Sequence, residues 1–235
     1  MASLHVGTSG FAFKQWKGPF YPEGLSDKKM LGYYSERLST VEINYTFRRF
    51  PSETTMESWK LQTAENFRFT LKASQRITHF KRLAGVGEDV DAFVARARLL
   101  EDRLGTILFQ LPPKFAYERV RLQEFLEGLP TGYRYAMEFR DPSWQTDEVS
   151  KMLQAREVAL CVAETDELAV SDVTVTAPFV YLRLRKTAYG EGEIDVWAER
   201  ARALLDRGLD VYCYFKHEDG GLGPRYASTL MEKVK

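Results

Sequence analysis

Charged and amide side chains recur at the ends of short apolar runs along this 235-residue chain. Glu42 and Asn44 alternate with Val41 and Ile43, and Arg68, Thr70 and Lys72 alternate with Phe69 and Leu71. Gln110 closes a third run, Glu138 and Arg140 a fourth, Arg183 and Arg185 a fifth. In an extended chain successive side chains point to opposite faces, so each run collects its polar groups on one face. Glu42 and Glu138 are of the type that serves as general acid or base, or as the carboxylate pair of glycoside hydrolysis. Lys72 offers an amine for Schiff-base chemistry, which requires burial to lower its pKa and which nearby carboxylates oppose. His79, in the loop after the second of these runs, is a further catalytic candidate. Asn44, Gln110, Arg140 and Arg183 could hold a polar substrate, and Trp144 could give it an apolar wall. The plainer reading is that Glu42 and Glu138 pair with Lys72 and Arg183, that His79 caps a loop, and that Trp144 packs one against the rim.

The elements that would position these groups alternate along the chain. Extended runs are expected at 4–8, 40–44, 67–72, 106–111, 134–140, 159–163, 179–184 and 211–215. Between them, helical spacing falls at 26–38 behind Ser26 as N-cap, in a helix capped by Ser52, and at 89–104 with Gly105 as C-terminal cap. Further helices are expected at 118–127, 147–156, 194–207 and 222–234. Gly7-Thr8-Ser9-Gly10 reads as a turn, followed by an ordered aromatic loop (Phe11, Phe13, Trp16, Phe20, Tyr21) that either plugs a hydrophobic surface or lines a pocket. Residues 164–177 lack helical pattern, so the sixth helical position is expected to be a loop or an irregular turn. Alternation of this kind demands parallel pairing with both faces covered. Eight units in this length match a single α/β domain, a TIM-like (β/α)8 barrel over residues 1–235, with its functional groups at the C-terminal ends of the strands. An open doubly wound sheet would want a glycine-rich phosphate loop after the first strand, which is missing.

Several classes fall away. There is no Gly-x-Ser-x-Gly elbow, and three scattered histidines (His5, His79, His217) do not make a transition-metal cluster, so no metal and no cofactor is expected. The 33 Lys and Arg residues balance 33 Asp and Glu residues, which gives no global case for a nucleic-acid or membrane partner. Cys161 and Cys213 lie in apolar runs and are expected to be buried, reduced thiols. No run approaches the roughly 20 apolar residues of a membrane span, and no signal peptide is visible, so a cytoplasmic protein is expected.

The stretches Gly7-Thr8-Ser9-Gly10 with Trp16-Lys17-Gly18-Pro19-Phe20-Tyr21-Pro22, Val41-Glu42-Ile43-Asn44, Ile77-Thr78-His79, Gln110-Leu111-Pro112-Pro113 and Glu138-Phe139-Arg140 with Ser143-Trp144 resemble, in order, the DUF72 or YecE-like family of uncharacterised barrel proteins. The resemblance is weaker in the last third. Arg183-Leu184-Arg185-Lys186 stands where such families carry Arg-x-His-Gly, and Lys216-His217 stands where they carry an Asn pair. It implies a TIM-like barrel and no established activity.

Two functions remain on these residues. One is an enzyme acting on a small polar or anionic substrate at the barrel rim, with Glu42 or Glu138 as general acid or base. The other is a non-catalytic module that binds an anion or nucleic acid through a basic rim extended by Lys81, Arg82, Arg185 and Lys186. Lys72, Arg140 and Arg183 outnumber Glu42 and Glu138 by one charge on the inward face. A bound carboxylate or phosphate would compensate the surplus cation.

Overall fold

Eight parallel strands close into a barrel in sequence order in the computed structural model, which describes residues 2–235. They are β1 (Leu4–Ser9), β2 (Thr40–Ile43), β3 (Arg68–Lys72), β4 (Leu104–Gln110), β5 (Tyr135–Glu138), β6 (Ala159–Glu164), β7 (Phe179–Leu184) and β8 (Asp210–Phe215). Outside them lie α1 (Met30–Ser35), α2 (Glu53–Gln62), α3 (Gly87–Ala97), α4 (Arg119–Glu127), α5 (Asp147–Ala155), α6 (Glu191–Asp206) and α7 (Leu222–Val234). β1 pairs with both β2 and β8, which leaves no sheet edge. Among the described residues no helix is long and apolar enough to cross a membrane.

Strand alternation divides the apolar residues into two bodies. Val6, Val41, Ile43, Phe69, Leu71, Ile107, Phe109, Met137, Val180, Leu182, Val211 and Phe215 face outward into the layer shared with the helices. Leu108, Ala136, Ala159, Cys161, Phe179, Tyr181, Tyr212 and Tyr214 form a separate cluster inside the barrel. The interior is filled by large tyrosines set against small alanines. The Tyr214 hydroxyl lies 2.9 Å from Thr40 Oγ1 and 2.6 Å from Thr70 Oγ1, so its polar end is satisfied at depth. Cys161 belongs to the inner cluster and Cys213 to the outer; both are free and buried.

The irregular segment between β6 and β7 is as expected: it carries no helix, and Thr176 fixes it by accepting from the Leu160 amide and donating to the Val158 carbonyl. Two local expectations fail, and a third, the turn at Gly7–Gly10, holds only in part. Ser26 makes no side-chain cap, and the helix expected at 26–38 is a 3-10 turn (Asp27–Lys29) leading into the short α1. Gly105 lies inside β4 rather than capping a helix, because the chain leaves α3 through a 3-10 segment (Arg98–Arg103) and starts the strand at Leu104. Gly7 is a strand residue, and only Gly10, with φ of 94°, does turning work.

Gly7 has a packing reason to be glycine. A Cβ there would lie 1.8 Å from the Thr40 carbonyl oxygen and 2.8 Å from the Tyr34 hydroxyl. That hydroxyl accepts from the Thr8 amide at 2.8 Å and donates to the Thr40 carbonyl at 2.9 Å, tying α1 to the seam between β1 and β2. Gly7→Ala must therefore push two strands apart, at an expected cost of more than about 4 kcal/mol. Gly24→Ala, with open space around it, should stay within about 0.5 kcal/mol of the parent. Denaturant unfolding of the two variants checks the contrast.

Candidate functional site

The C-terminal ends of β1, β2, β3, β4, β5 and β7 bring Ser9, Glu42, Lys72, Gln110, Glu138 and Arg183 into one hydrogen-bonded layer. Arg183 is at its centre. One guanidinium nitrogen donates to Glu42 Oε1 at 2.8 Å and the other to Glu138 Oε2. All three side chains are at most 2% exposed. Glu42 also accepts from the Tyr181 hydroxyl at 2.6 Å, from Ser9 Oγ at 2.8 Å and from the Asn44 amide at 3.2 Å. Glu138 accepts from Gln110 Nε2 at 2.9 Å and from the partly buried Arg185 at 3.1 Å.

Burial alone would raise both carboxyl pKa values, and the adjacent guanidinium together with these donors overcomes it. Glu42 is held below the usual carboxylate range, and Glu138 is lowered to about 2. Both are ionised and fully partnered at neutral pH. A carboxylate in that state is a poor general acid and a weak base, and its oxygens are already occupied. The pair serves better as a fixed negative platform than as acid and base.

Lys72 is placed differently. It pairs with neither glutamate, contrary to the simplest ion-pair expectation. Its ammonium donates to Gln110 Oε1 at 2.7 Å and lies 4.3 Å from the centre of the Phe47 ring. Burial is the largest cause of its lowered pKa, and Arg183 adds to the effect. Glu42 and Glu138 oppose it without reversing it, and the pKa comes down to about 8. His79 packs edge-on against the same Phe47 ring, centroid to centroid 4.8 Å, and its Nδ1 sits 2.9 Å from Thr78 Oγ1. Burial lowers its pKa, and the charges of Lys72 and Arg140 lower it further.

Two expected site residues lie elsewhere. β5 ends at Glu138, so Arg140 is not on the inward strand face but exposed in the loop that follows. Trp144 is 2% exposed, stacked at 4.5 Å on Phe139, with its indole N–H donating to the Phe115 carbonyl; it packs under the rim and offers no open wall. The aromatic loop after β1 does both things open to it. Trp16 and Tyr21 are buried, while Phe11 and Phe13 line a cleft of about 430 Å³ with Asn44, Tyr45, Trp59 and Ser9. Tyr181, Phe47 and the serine-to-glutamate contact of Ser9 were not anticipated. Tyr181 was findable, since it sits two residues before Arg183 on the same inward face.

A model of the family described as "Protein of unknown function DUF72" matches residues 5–235. The UPF0759 protein YecE of Escherichia coli (strain K12) is 31% identical over 132 residues, 55% of this chain and 47% of that protein. The UPF0759 protein YunF of Bacillus subtilis (strain 168) is 28% identical over 149 residues, 60% of this chain and 52% of that one. The matched part thus spans about half the length of these curated relatives. A crystal structure of a DUF72 family protein from Thermotoga maritima superposes with a TM-score of 0.78 at 25% identity, covering 99% of both chains.

Removing Arg183 leaves buried Glu42 without a cation and Glu138 with the partly buried Arg185 alone. Arg183→Met is expected to lose about 3–5 kcal/mol at neutral pH. The pH dependence should change sign. In the parent, depressed carboxyl pKa values give stability that is present above the unfolded value and lost as pH falls through the folded one, between about 4.3 and 2 for Glu138. In the variant, the buried Glu42 carboxylate, left without a cation, takes up a proton more readily than in the unfolded chain, so the variant should gain stability as pH falls from about 7 toward 5. Chemical denaturation across pH checks both slopes.

Proposed function

The chain belongs to the DUF72 family of proteins of unknown function, and we propose that it is an enzyme acting on a small polar or anionic substrate at the C-terminal mouth of the barrel, with Lys72 as the group that exchanges a proton with it. The observation that carries this reading is the state of Lys72. It is a partly exposed amine at a strand end, without a carboxylate partner, with a pKa lowered to about 8. General acid–base catalysis is most effective when the pKa lies near the working pH, and this amine meets that condition where the two glutamates do not. Perturbed groups of this kind concentrate at functional sites.

The remaining residues take supporting roles. Glu42, Glu138 and Arg183 form the floor, and Gln110 transmits its geometry to Lys72. His79, neutral at neutral pH, is a second proton-transfer group beside Phe47. Asn44 lies where the cleft meets Glu42, and Arg140 and Lys216 are exposed cations near the mouth that suit an anionic substrate.

A second reading draws on a different observation. Arg48, Arg49, Arg82, Lys114 and Arg140, on the loops after β2, β3, β4 and β5, form no ion pair within 4.0 Å among the described residues. Tyr45 and Phe80 are 55% and 72% exposed on the same loops. Cations with exposed rings suit a single-stranded nucleic acid, phosphates on the charges and bases on the rings.

Calorimetric titration with phosphate and simple carboxylates separates the two. The enzyme reading expects binding that weakens as pH rises through about 8, where Lys72 loses its proton, and that weakens in Lys72→Met. A linked stability change should accompany it. The folded pKa of Lys72 is depressed, so its buried charge costs stability at low pH and the cost is relieved between about 8 and the unfolded value of about 10.4. From pH 7 to 10 the parent should therefore gain on the order of 2 kcal/mol relative to Lys72→Met. No pH-dependent gain, together with salt-sensitive binding of a single-stranded oligonucleotide and none of small anions, would leave the second reading.

A further inference from the structure

Gln110 does more than bond to Lys72. Glu138 is ionised and can only accept, so it takes the Gln110 amide N–H₂ at 2.9 Å and turns the amide oxygen toward Lys72. A neutral amine still has a hydrogen to donate to that oxygen, and its lone pair is then left pointing elsewhere. No other protein hydrogen-bond partner for Lys72 Nζ exists among the described residues. The charged groups that bear on it are Arg183 from β7, Glu42 from β2, Glu138 from β5 and Lys216 after β8, with His79 across the Phe47 ring. A glutamate in place of Gln110 would have locked the amine as an ammonium; an amide does not.

From this geometry we infer that Lys72 is a nucleophile that condenses with the carbonyl carbon of a small oxo acid, whose carboxylate or phosphate is held by Arg140 and Lys216. The inference rests on the mouth being a substrate site with Lys72 at its reacting centre. The amine nitrogen forms a bond to the carbonyl carbon as the C=O π pair moves onto oxygen, which takes a proton. The resulting hydroxyl leaves as water, protonated in turn, while nitrogen gives up its remaining protons to complete the C=N bond. Amine plus carbonyl gives imine plus water, with no oxidant or reductant. Neutral His79, which packs on the Phe47 ring that Lys72 also contacts, would pass these protons. Near neutral pH an amine with a pKa of about 8 is in its free form roughly 200-fold more often than an ordinary lysine. The oxo acid is favoured over a neutral aldehyde because Arg140 and Lys216 are exposed, carry no ion pair among the described residues, and act electrostatically on His79 and Lys72 respectively.

The test is to incubate the full chain with pyruvate or glyoxylate at neutral pH, reduce with borohydride and locate adducts by peptide mass spectrometry. The expected result is an adduct concentrated on Lys72 with both oxo acids, with uncharged propanal giving little preference for that residue. Gln110→Glu should reduce labelling of Lys72 by roughly tenfold or more by holding the ammonium, and circular dichroism would confirm that this variant folds. Adducts spread over surface lysines, with Lys72 no more labelled than they are, would overturn the inference. Titration of the Lys72 amine by NMR after ¹³C-methylation then distinguishes the failures. A depressed titration without labelling removes the imine and leaves the proton-transfer reading; an ordinary lysine titration removes both.

Discussion

Everything at the mouth of this barrel hangs on one guanidinium shared by two buried carboxylates. Glu42 on β2 and Glu138 on β5 face each other across the barrel, and Arg183 on β7 reaches both. Isolating any one of these ions at that depth would cost several kcal/mol, so none of the three strand ends can shift without exposing the others to that penalty. A lysine could not replace Arg183, because bridging two carboxylates from different strands requires donors set apart in a planar fork. Tyr181 and Arg185 then donate to the carboxylate oxygens that the guanidinium leaves free, while Ser9, Asn44 and Gln110 share the oxygens it holds.

That layer needs a firm floor, and the aromatic interior supplies one. Ala136 and Ala159 make room for Tyr181, Tyr212 and Tyr214, and the Tyr214 hydroxyl is held between two threonines from β2 and β3. Large rings against small neighbours fill a tapered barrel without voids. The buried part of the candidate site is thus strand-borne and closed to solvent, and its more exposed groups (Lys72, His79, Arg140, Lys216) stand at strand ends or in loops. This division between a fixed scaffold and variable loops is the usual one for barrels of this kind.

Much of this was legible in the sequence because alternation is local. Val41 and Ile43 against Glu42 is enough to assign faces, and the same reasoning placed Thr70, Lys72, Gln110, Glu138 and Arg183 inward. Which inward residues meet was not legible, because that depends on the register of strands far apart in sequence. Arg183 rather than Lys72 meets the glutamates for that reason. Arg140 was misplaced because the strand pattern continues past Glu138, while the chain in fact turns at Phe139, whose ring stacks on Trp144. Gly105 reads as a helix cap from its position after Leu104, yet its real constraint is Tyr212 and Arg68 of the barrel's lower end, close enough to crowd any Cβ.

The charge balance of the finished layer explains why Lys72 stands apart from the other charged groups. Arg183 and Arg185 answer Glu42 and Glu138, so the pairing inside the mouth is complete before Lys72 is counted. Arg185 takes the place that the sequence reading gave to the exposed Arg140, and the cation left over is Lys72. A half-buried surplus ammonium can be relieved by losing its proton or by gaining an anion. The two routes are linked, since an anion bound beside the amine raises its pKa by the same free energy with which the proton strengthens anion binding. An anion seated directly on Lys72 would therefore hold it as an acid. An anion held farther out by Arg140 or Lys216 would leave the amine free to act as a base or a nucleophile. On the proposed reading, the distance between a substrate's charge and its reacting carbon would thus decide which chemistry Lys72 performs.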